Sequence, residues 1–136
     1  MASKKKKRKK RGSRYHTGQY SSIKLLNGPI KYRSGWEKLF MEWLDANDDI
    51  QSYEYESIVI GYISNFKSQK LRHYYPDLFV HYVDGHNELI EIKPKSKLLH
   101  KLVLKKAQAA EVWCKEHNAT YKLVTENDLK QLGILI

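Results

Sequence analysis

Tyr75-Pro76-Asp77 is followed, fourteen residues after the aspartate, by Glu91-Ile92-Lys93. Two carboxylates and a lysine at this spacing can serve one reaction. A hard divalent cation such as Mg²⁺ takes oxygen ligands, and two nearby carboxylates supply part of its shell. Water and phosphate oxygens fill the remaining positions. The lysine can orient a water or offset charge that builds on a phosphate. Together these residue types suit metal-assisted hydrolysis of a phosphodiester. Nothing else in the chain points to another chemistry. The six histidines show neither HxH nor HExxH spacing, and there is no Gly-rich phosphate loop.

The elements around these residues must place them on one face. On a strand, residues two apart share a face, so Glu91 and Lys93 point one way and Ile90 and Ile92 the other. We expect residues 73–83 and 88–93 to form a hairpin. A three-residue loop, Asp84–His86, would pair Asp77 with Lys93 and Phe79 with Glu91, putting all three polar groups together. A loop of two or four residues would turn Asp77 to the opposite face unless a bulge intervened. A purely structural use is also open: Glu91 and Lys93 as solvent-face strand residues, Asp77 as a turn residue after proline.

Glu37 is the fourth candidate. Ser34 opens a helix whose apolar face carries Trp36, Leu39, Phe40, Trp43 and Leu44, ending near Ala46–Asn47. Glu37 lies on the rim of that face, where it could reach a metal held by the sheet. With Ser34 it also forms an S-x-x-E capping box, and one side chain could serve either use.

Elsewhere, residues 15–33 read as an irregular lead-in with a short extended piece at Ile30–Tyr32. Residues 52–63 read as one or two strands, and Asn65–Arg72 as a turn or loop. A long helix runs from Leu98 to about His117, with Ser96 as N-cap, Asn118 as stop, and Leu98, Leu99, Leu102, Ala107, Ala110 and Trp113 inward. Tyr121–Val124 is a strand. Thr125 and Asp128 cap a short final helix that ends at Gly133. The fold class is α/β, in the order α-β-β-β-α-β-α, a mixed sheet flanked by helices.

The 136 residues suffice for one domain over 15–136, and 41% hydrophobic residues allow a core. The net charge of +10 is unevenly placed. Lys4, Lys5, Lys6, Lys7, Arg8, Lys9, Lys10, Arg11 and Arg14 give nine basic groups and no acid over 1–14. Residues 15–136 hold the other 16 basic and all 15 acidic groups, so they are nearly neutral. The tail repels itself and has no apolar surface to offset ordering entropy, so we expect disorder over 1–14. Its uses are a nucleic-acid arm, a nuclear import signal, or a solubilising extension. Phosphate binding is favoured, because a polycation near DNA gains by counterion release. Arg33 and Lys95 are further candidate DNA contacts. The single cysteine, Cys114, excludes a disulfide framework and reads as a structural thiol. No apolar run approaches ~18 residues, so no membrane partner is expected.

Glu37 on a leading helix, then Pro76-Asp77, then Glu91-Ile92-Lys93, resembles the PD-(D/E)XK nuclease superfamily with its restriction-endonuclease-like core. Within it, YRSGWEKLFMEWLD at 32–45, IEIKPK at 90–95 and KLVTENDLKQLG at 122–133 are similar to the T-even phage head-completion nucleases. The TnsA-type transposase endonucleases share the PD…E-x-K arrangement more distantly. The resemblance implies Mg²⁺-dependent DNA cleavage, with Mn²⁺ as a substitute. Asp77 and Glu91 would ligate the metal, assisted by the Ile92 carbonyl. Lys93 would serve the water or the transition state, and Glu37 would complete the site. It also implies a late role in virion assembly, trimming packaged DNA before the tail joins. Partners would be DNA and the portal, neck or capsid proteins, in the host cytoplasm or on the virion. The competing class is a structural DNA- or portal-binding factor that keeps the fold without cleaving.

Overall fold

The computed structural model describes residues 17–136. The basic segment 1–14, expected to be disordered, lies outside the described residues. The central sheet has four strands in the order β3-β6-β7-β8: β3 (Ile50–Tyr55), β6 (Leu78–Tyr82), β7 (Asn87–Ile92) and β8 (Thr120–Val124). The first three are antiparallel, and β8 runs parallel to β7. A parallel neighbour needs a crossover, which α2 (Lys101–Glu116) supplies. α1 (Gly35–Ala46) precedes the sheet and α3 (Glu126–Gln131) follows it.

With two short hairpins set aside, the order is the expected α-β-β-β-α-β-α. One hairpin joins β1 (Gly18–Tyr20) to β2 (Ile30–Tyr32). The other joins β4 (Ile60–Asn65) to β5 (Lys70–Tyr74) and forms a separate two-stranded sheet. It corrects two expectations. Lys70–Arg72 belongs to a strand, and the turn shrinks to residues 66–69. The expected strand 73–83 is broken at Tyr75-Pro76-Asp77, where proline cannot donate to a ladder. The hydrophilic run of β5 hid it from pattern reading: Lys70, Leu71, Arg72 and His73 are all exposed, and only Tyr74 is buried.

Alternation along β7 divides the core into two layers. Ile90 and Ile92 join Phe40, Met41 and Leu44 of α1, with Tyr53, Leu78, Val80, Val124 and Leu129. Leu89 faces the other way, with Ile60, Tyr62, Tyr74, Ala110 and Cys114 under α2. Both faces of β7 are therefore covered, and Leu89 through Ile92 are all buried. Cys114 is inert packing, and burial pushes its thiol up to about 11.

Helix ends follow local chemistry, with one exception. Ser34 caps α1, its side chain accepting from the Glu37 amide. Thr125 and Asp128 form the expected reciprocal box at α3, and Gly133 follows with φ +79°. For α2 the expected cap Ser96 lies in a 3₁₀ turn over Lys95–Lys97, and His100 caps the helix instead. Leu99, expected inward, is exposed, because it precedes the helix rather than lying on its face. Among the described residues no helix is long and apolar enough to cross a membrane.

Candidate active site

The β6–β7 hairpin sets the register that decides the site. Tyr82 N–H donates to His86 C=O at 2.9 Å, and Gly85 N–H donates to Tyr82 C=O at 3.0 Å. The loop is therefore Val83-Asp84-Gly85, three residues long and one residue earlier than the three-residue alternative Asp84–His86. Gly85, at φ +97°, takes the left-handed position such a loop requires. Moving the loop by one residue moves the pairing by two. Leu78 pairs with Ile90 and Phe79 with Leu89. The next step outward sets Asp77 opposite Glu91, rather than opposite Lys93. A shift of two keeps the parity, so all three polar residues still share the α2 face.

Asp77 and Glu91 are each only 8% exposed. They line a cleft of about 300 Å³ with Lys93, Arg33, Glu56, His73, Tyr74, Tyr75 and Lys106. Asp77 Oδ2 accepts the Ile92 amide at 2.7 Å, which aims the carboxylate at the end of β7. Glu91 Oε1 accepts Tyr74 O–H at 2.7 Å, and Tyr74 bonds in turn to Tyr121 O–H at 2.8 Å. Glu91 Oε2 lies 3.4 Å from Lys93 Nζ.

Glu37 reaches the site from the opposite layer and is not among the residues lining the cleft. Its Oε1 accepts Tyr55 O–H at 2.7 Å and the Arg33 amide at 2.8 Å. The second bond lands one residue before the position a capping box would use. Arg33 sits on the cleft rim, its Nε 3.2 Å from Glu56 Oε2. Lys95 is exposed in the 3₁₀ turn, away from the cleft lining.

Tyr74, Tyr55, Glu56 and Lys106 were not expected in the site. Tyr74 had a signal, since it directly precedes Tyr75-Pro76-Asp77. Glu56 is brought in by its amide, which donates to Asp77 C=O at 2.9 Å from a left-handed backbone at φ +48°. Lys106 carried no local signal, because only the docking of α2 turns it toward Tyr74, with Nζ 5.4 Å from the ring centre.

The electrostatics are lopsided. Burial, then the Glu91 and Glu37 charges, push the Asp77 carboxyl well above its ordinary range, against the pull of the Ile92 amide and Lys93. Burial also raises Glu91, with the Tyr74 bond and Lys93 opposing it. Glu56 is raised by burial, and by Glu37 and Glu91, while Arg33 opposes. Crowded carboxylates in a cleft are short of positive charge, and a divalent cation would supply it. Among the described residues no group of three or more His, Cys, Asp or Glu is set to hold a metal ion alone. Mg²⁺ does not need such a cage, since it keeps several waters and binds through one or two carboxylates plus substrate phosphates. The donor set therefore fits Mg²⁺ better than a metal needing a full protein shell.

These shifts set a sign for stability. A carboxyl raised on folding favours the folded state below its unfolded pKa of about 3.9 for Asp. That advantage is lost as pH rises through the folded value. Asp77→Asn keeps the acceptor for Ile92 and removes the charge. In EDTA at neutral pH it should be more stable than wild type, by roughly 0.5–2 kcal/mol. The gap should close toward pH 4. Thermal melts from pH 4 to 8 check this, and equal melting at neutral pH would refute it.

The chain belongs to the TnsA-like endonuclease N-terminal family, which it matches over residues 47–126. The fold agrees with the restriction-endonuclease-like core expected from the sequence. Over 68 residues it is also 44% identical to the head completion nuclease of Enterobacteria phage T4. That match covers 50% of this chain and 45% of the phage T4 protein.

Proposed function

We propose that this chain is a Mg²⁺-dependent endodeoxyribonuclease of the PD-(D/E)XK type, with residues 15–136 as its nuclease unit. The observation that carries the reading is Asp77, Glu91 and Lys93 lining one cleft, with Lys93 Nζ 3.4 Å from the Glu91 carboxylate. Membership of an endonuclease family supports it.

Hydrolysis joins a water oxygen to phosphorus and breaks one P–O ester bond. The departing oxygen takes up a proton and leaves as an alcohol. Asp77 and Glu91, with the Ile92 carbonyl beside them, would hold Mg²⁺, which supplies Lewis acidity and a more acidic water. Mn²⁺ would substitute. The Ile92 amide fixes the Asp77 carboxylate, and Tyr74 fixes Glu91, so both oxygens are oriented before substrate arrives. Lys93 holds the water or offsets charge on the phosphate. Glu37 completes the site through its charge and a bound water, since Tyr55 and the Arg33 amide already occupy Oε1.

The name of the phage T4 relative supports placing the activity in head completion. In that setting the enzyme would trim packaged DNA before the tail joins, in the host cytoplasm or on the virion, beside portal, neck or capsid proteins. The test is cleavage of linear, nicked and branched DNA with Mg²⁺, with Mn²⁺ and with EDTA, beside Lys93→Ala. We expect metal-dependent cutting that falls about 10²–10³-fold in the variant. No cutting of any form with either metal would favour a structural DNA- or portal-binding factor.

A further inference from the structure

Charge within residues 15–136 is segregated along the chain. Residues 57–76 and 92–110 contain no Asp or Glu. They hold nine of the 16 basic groups: Lys67, Lys70, Arg72, Lys93, Lys95, Lys97, Lys101, Lys105 and Lys106. The remainder has seven basic against 15 acidic groups. The near-neutral total therefore conceals a strongly basic part and an acidic part.

Packing joins the two basic stretches into one surface. β4–β5 and the following turn come from the first, and the start of α2 from the second. Ile60, Tyr62 and Tyr74 of the hairpin pack with Ala110 and Cys114 of α2. Lys105 Nζ donates to Ser64 C=O at 3.0 Å and lies 5.4 Å from the centre of the Phe66 ring. Arg72 Nε donates to Ser64 Oγ at 3.2 Å. At the other end of the hairpin, Lys106 lies over Tyr74, whose hydroxyl bonds to Glu91. The cations thus run from the carboxylate cleft to the hairpin tip, and Lys67, Lys70 and Arg72 are exposed.

We infer that the β4–β5 hairpin and the start of α2 form a track for the backbone of duplex DNA, leading away from the cleft. The inference rests on the nuclease reading and names the surface that holds its substrate. Four strand steps from Tyr74 to Lys70 span about 13 Å. At 3.4 Å per base pair, that is roughly four pairs of duplex. A single-strand groove would interleave its cations with aromatic platforms for stacked bases. Here Phe66 and Tyr75 are the exposed large aromatics on the hairpin and its exit, too few to stack a strand. An acidic protein surface could also meet this charge. DNA is favoured because the track is continuous with Lys93, so a phosphate in the cleft would carry its neighbours onto it.

The test compares two full-length variants that lose equal charge. One is Lys67→Ala/Lys70→Ala/Arg72→Ala, on the track. The other is Lys115→Ala/Lys122→Ala/Lys130→Ala, exposed at the far end of α2, on β8 and on α3. Binding to a 30-base-pair duplex is read by anisotropy in EDTA over a range of salt, with cleavage measured separately. The track variant should lose about 2 to 3 units of the log K against log salt slope, from ~0.9 per phosphate contact, and the control less than one. Equal losses, or no loss in the track variant, would overturn the inference and leave the face to an acidic protein. Should the triple variant fail to melt cooperatively, Lys70→Glu is set against Lys122→Glu, with a slope loss of about 1 unit expected for the first and less for the second. A slope loss in a chain that cuts no DNA supports the track and sinks the nuclease reading. Intact cutting with an unchanged slope does the reverse.

Discussion

Asp77→Asn or Glu91→Gln should lower DNA cleavage about 10³-fold or more and leave the fold intact. Losing a metal-ligating charge removes several kcal/mol of transition-state stabilisation, and each ~1.4 kcal/mol is tenfold in rate. The amides are the informative replacements. Asp77 Oδ2 accepts the Ile92 amide, and Glu91 Oε1 accepts Tyr74 O–H. Alanine at 77 would strand a buried N–H at a cost of about 1–3 kcal/mol. Lost activity could then be blamed on folding. With the amides, single-turnover cleavage reads chemistry, and a melt in the same buffer reads the fold. Near-normal cutting by either amide variant would point to a structural factor that keeps a nuclease fold.

Deleting residues 1–14 should weaken DNA binding and leave the cleft intact. The deletion takes nine positive charges from a chain whose net charge is +10. If all nine met duplex phosphates, the salt slope would become shallower by about 8 units, at ~0.9 per contact. Partial engagement would give proportionally less. The remainder would still bind, through the track on β4–β5 and α2 and through Arg33 at the cleft rim. Titration of both forms against duplex DNA across a salt series decides the matter. An unchanged affinity and slope would mean the tail does not grip DNA, and a contact with an acidic capsid or portal surface would become the better reading.

Much of this molecule was legible in its sequence, because the relevant physics is local. Ser34 and Thr125 marked two helix starts, since a side-chain oxygen must satisfy amides that the first turn leaves free. Asn118 marked the end of α2, and it has the left-handed backbone of a stop, at φ +54°. Glu91 and Lys93 shared a face by the two-residue period of a strand. Asp77 joins them, as a three-residue loop requires, although that loop sits one residue earlier than the alternative Asp84–His86. Parity survived the displacement because moving an odd loop by one residue shifts pairing by two.

Long-range packing decided the rest. The hydrophilic β5 became a strand only through pairing with β4, whose Ile60 and Tyr62 are held under α2. Tyr74 reached Glu91, and Lys106 reached Tyr74, by docking elements far apart in the chain. Glu37, placed on the rim by helical angle alone, was taken by Tyr55 and the Arg33 amide, so it bears on the cleft through its charge. The sequence by itself determined which residues could do chemistry, the helix starts at Ser34 and Thr125, and the face that Glu91 and Lys93 share. Tertiary structure decided which carboxylates meet, which amide or hydroxyl holds each one, and where the basic groups collect. Periodicity and capping act over a few residues, whereas burial and charge depend on which surfaces the finished fold brings together.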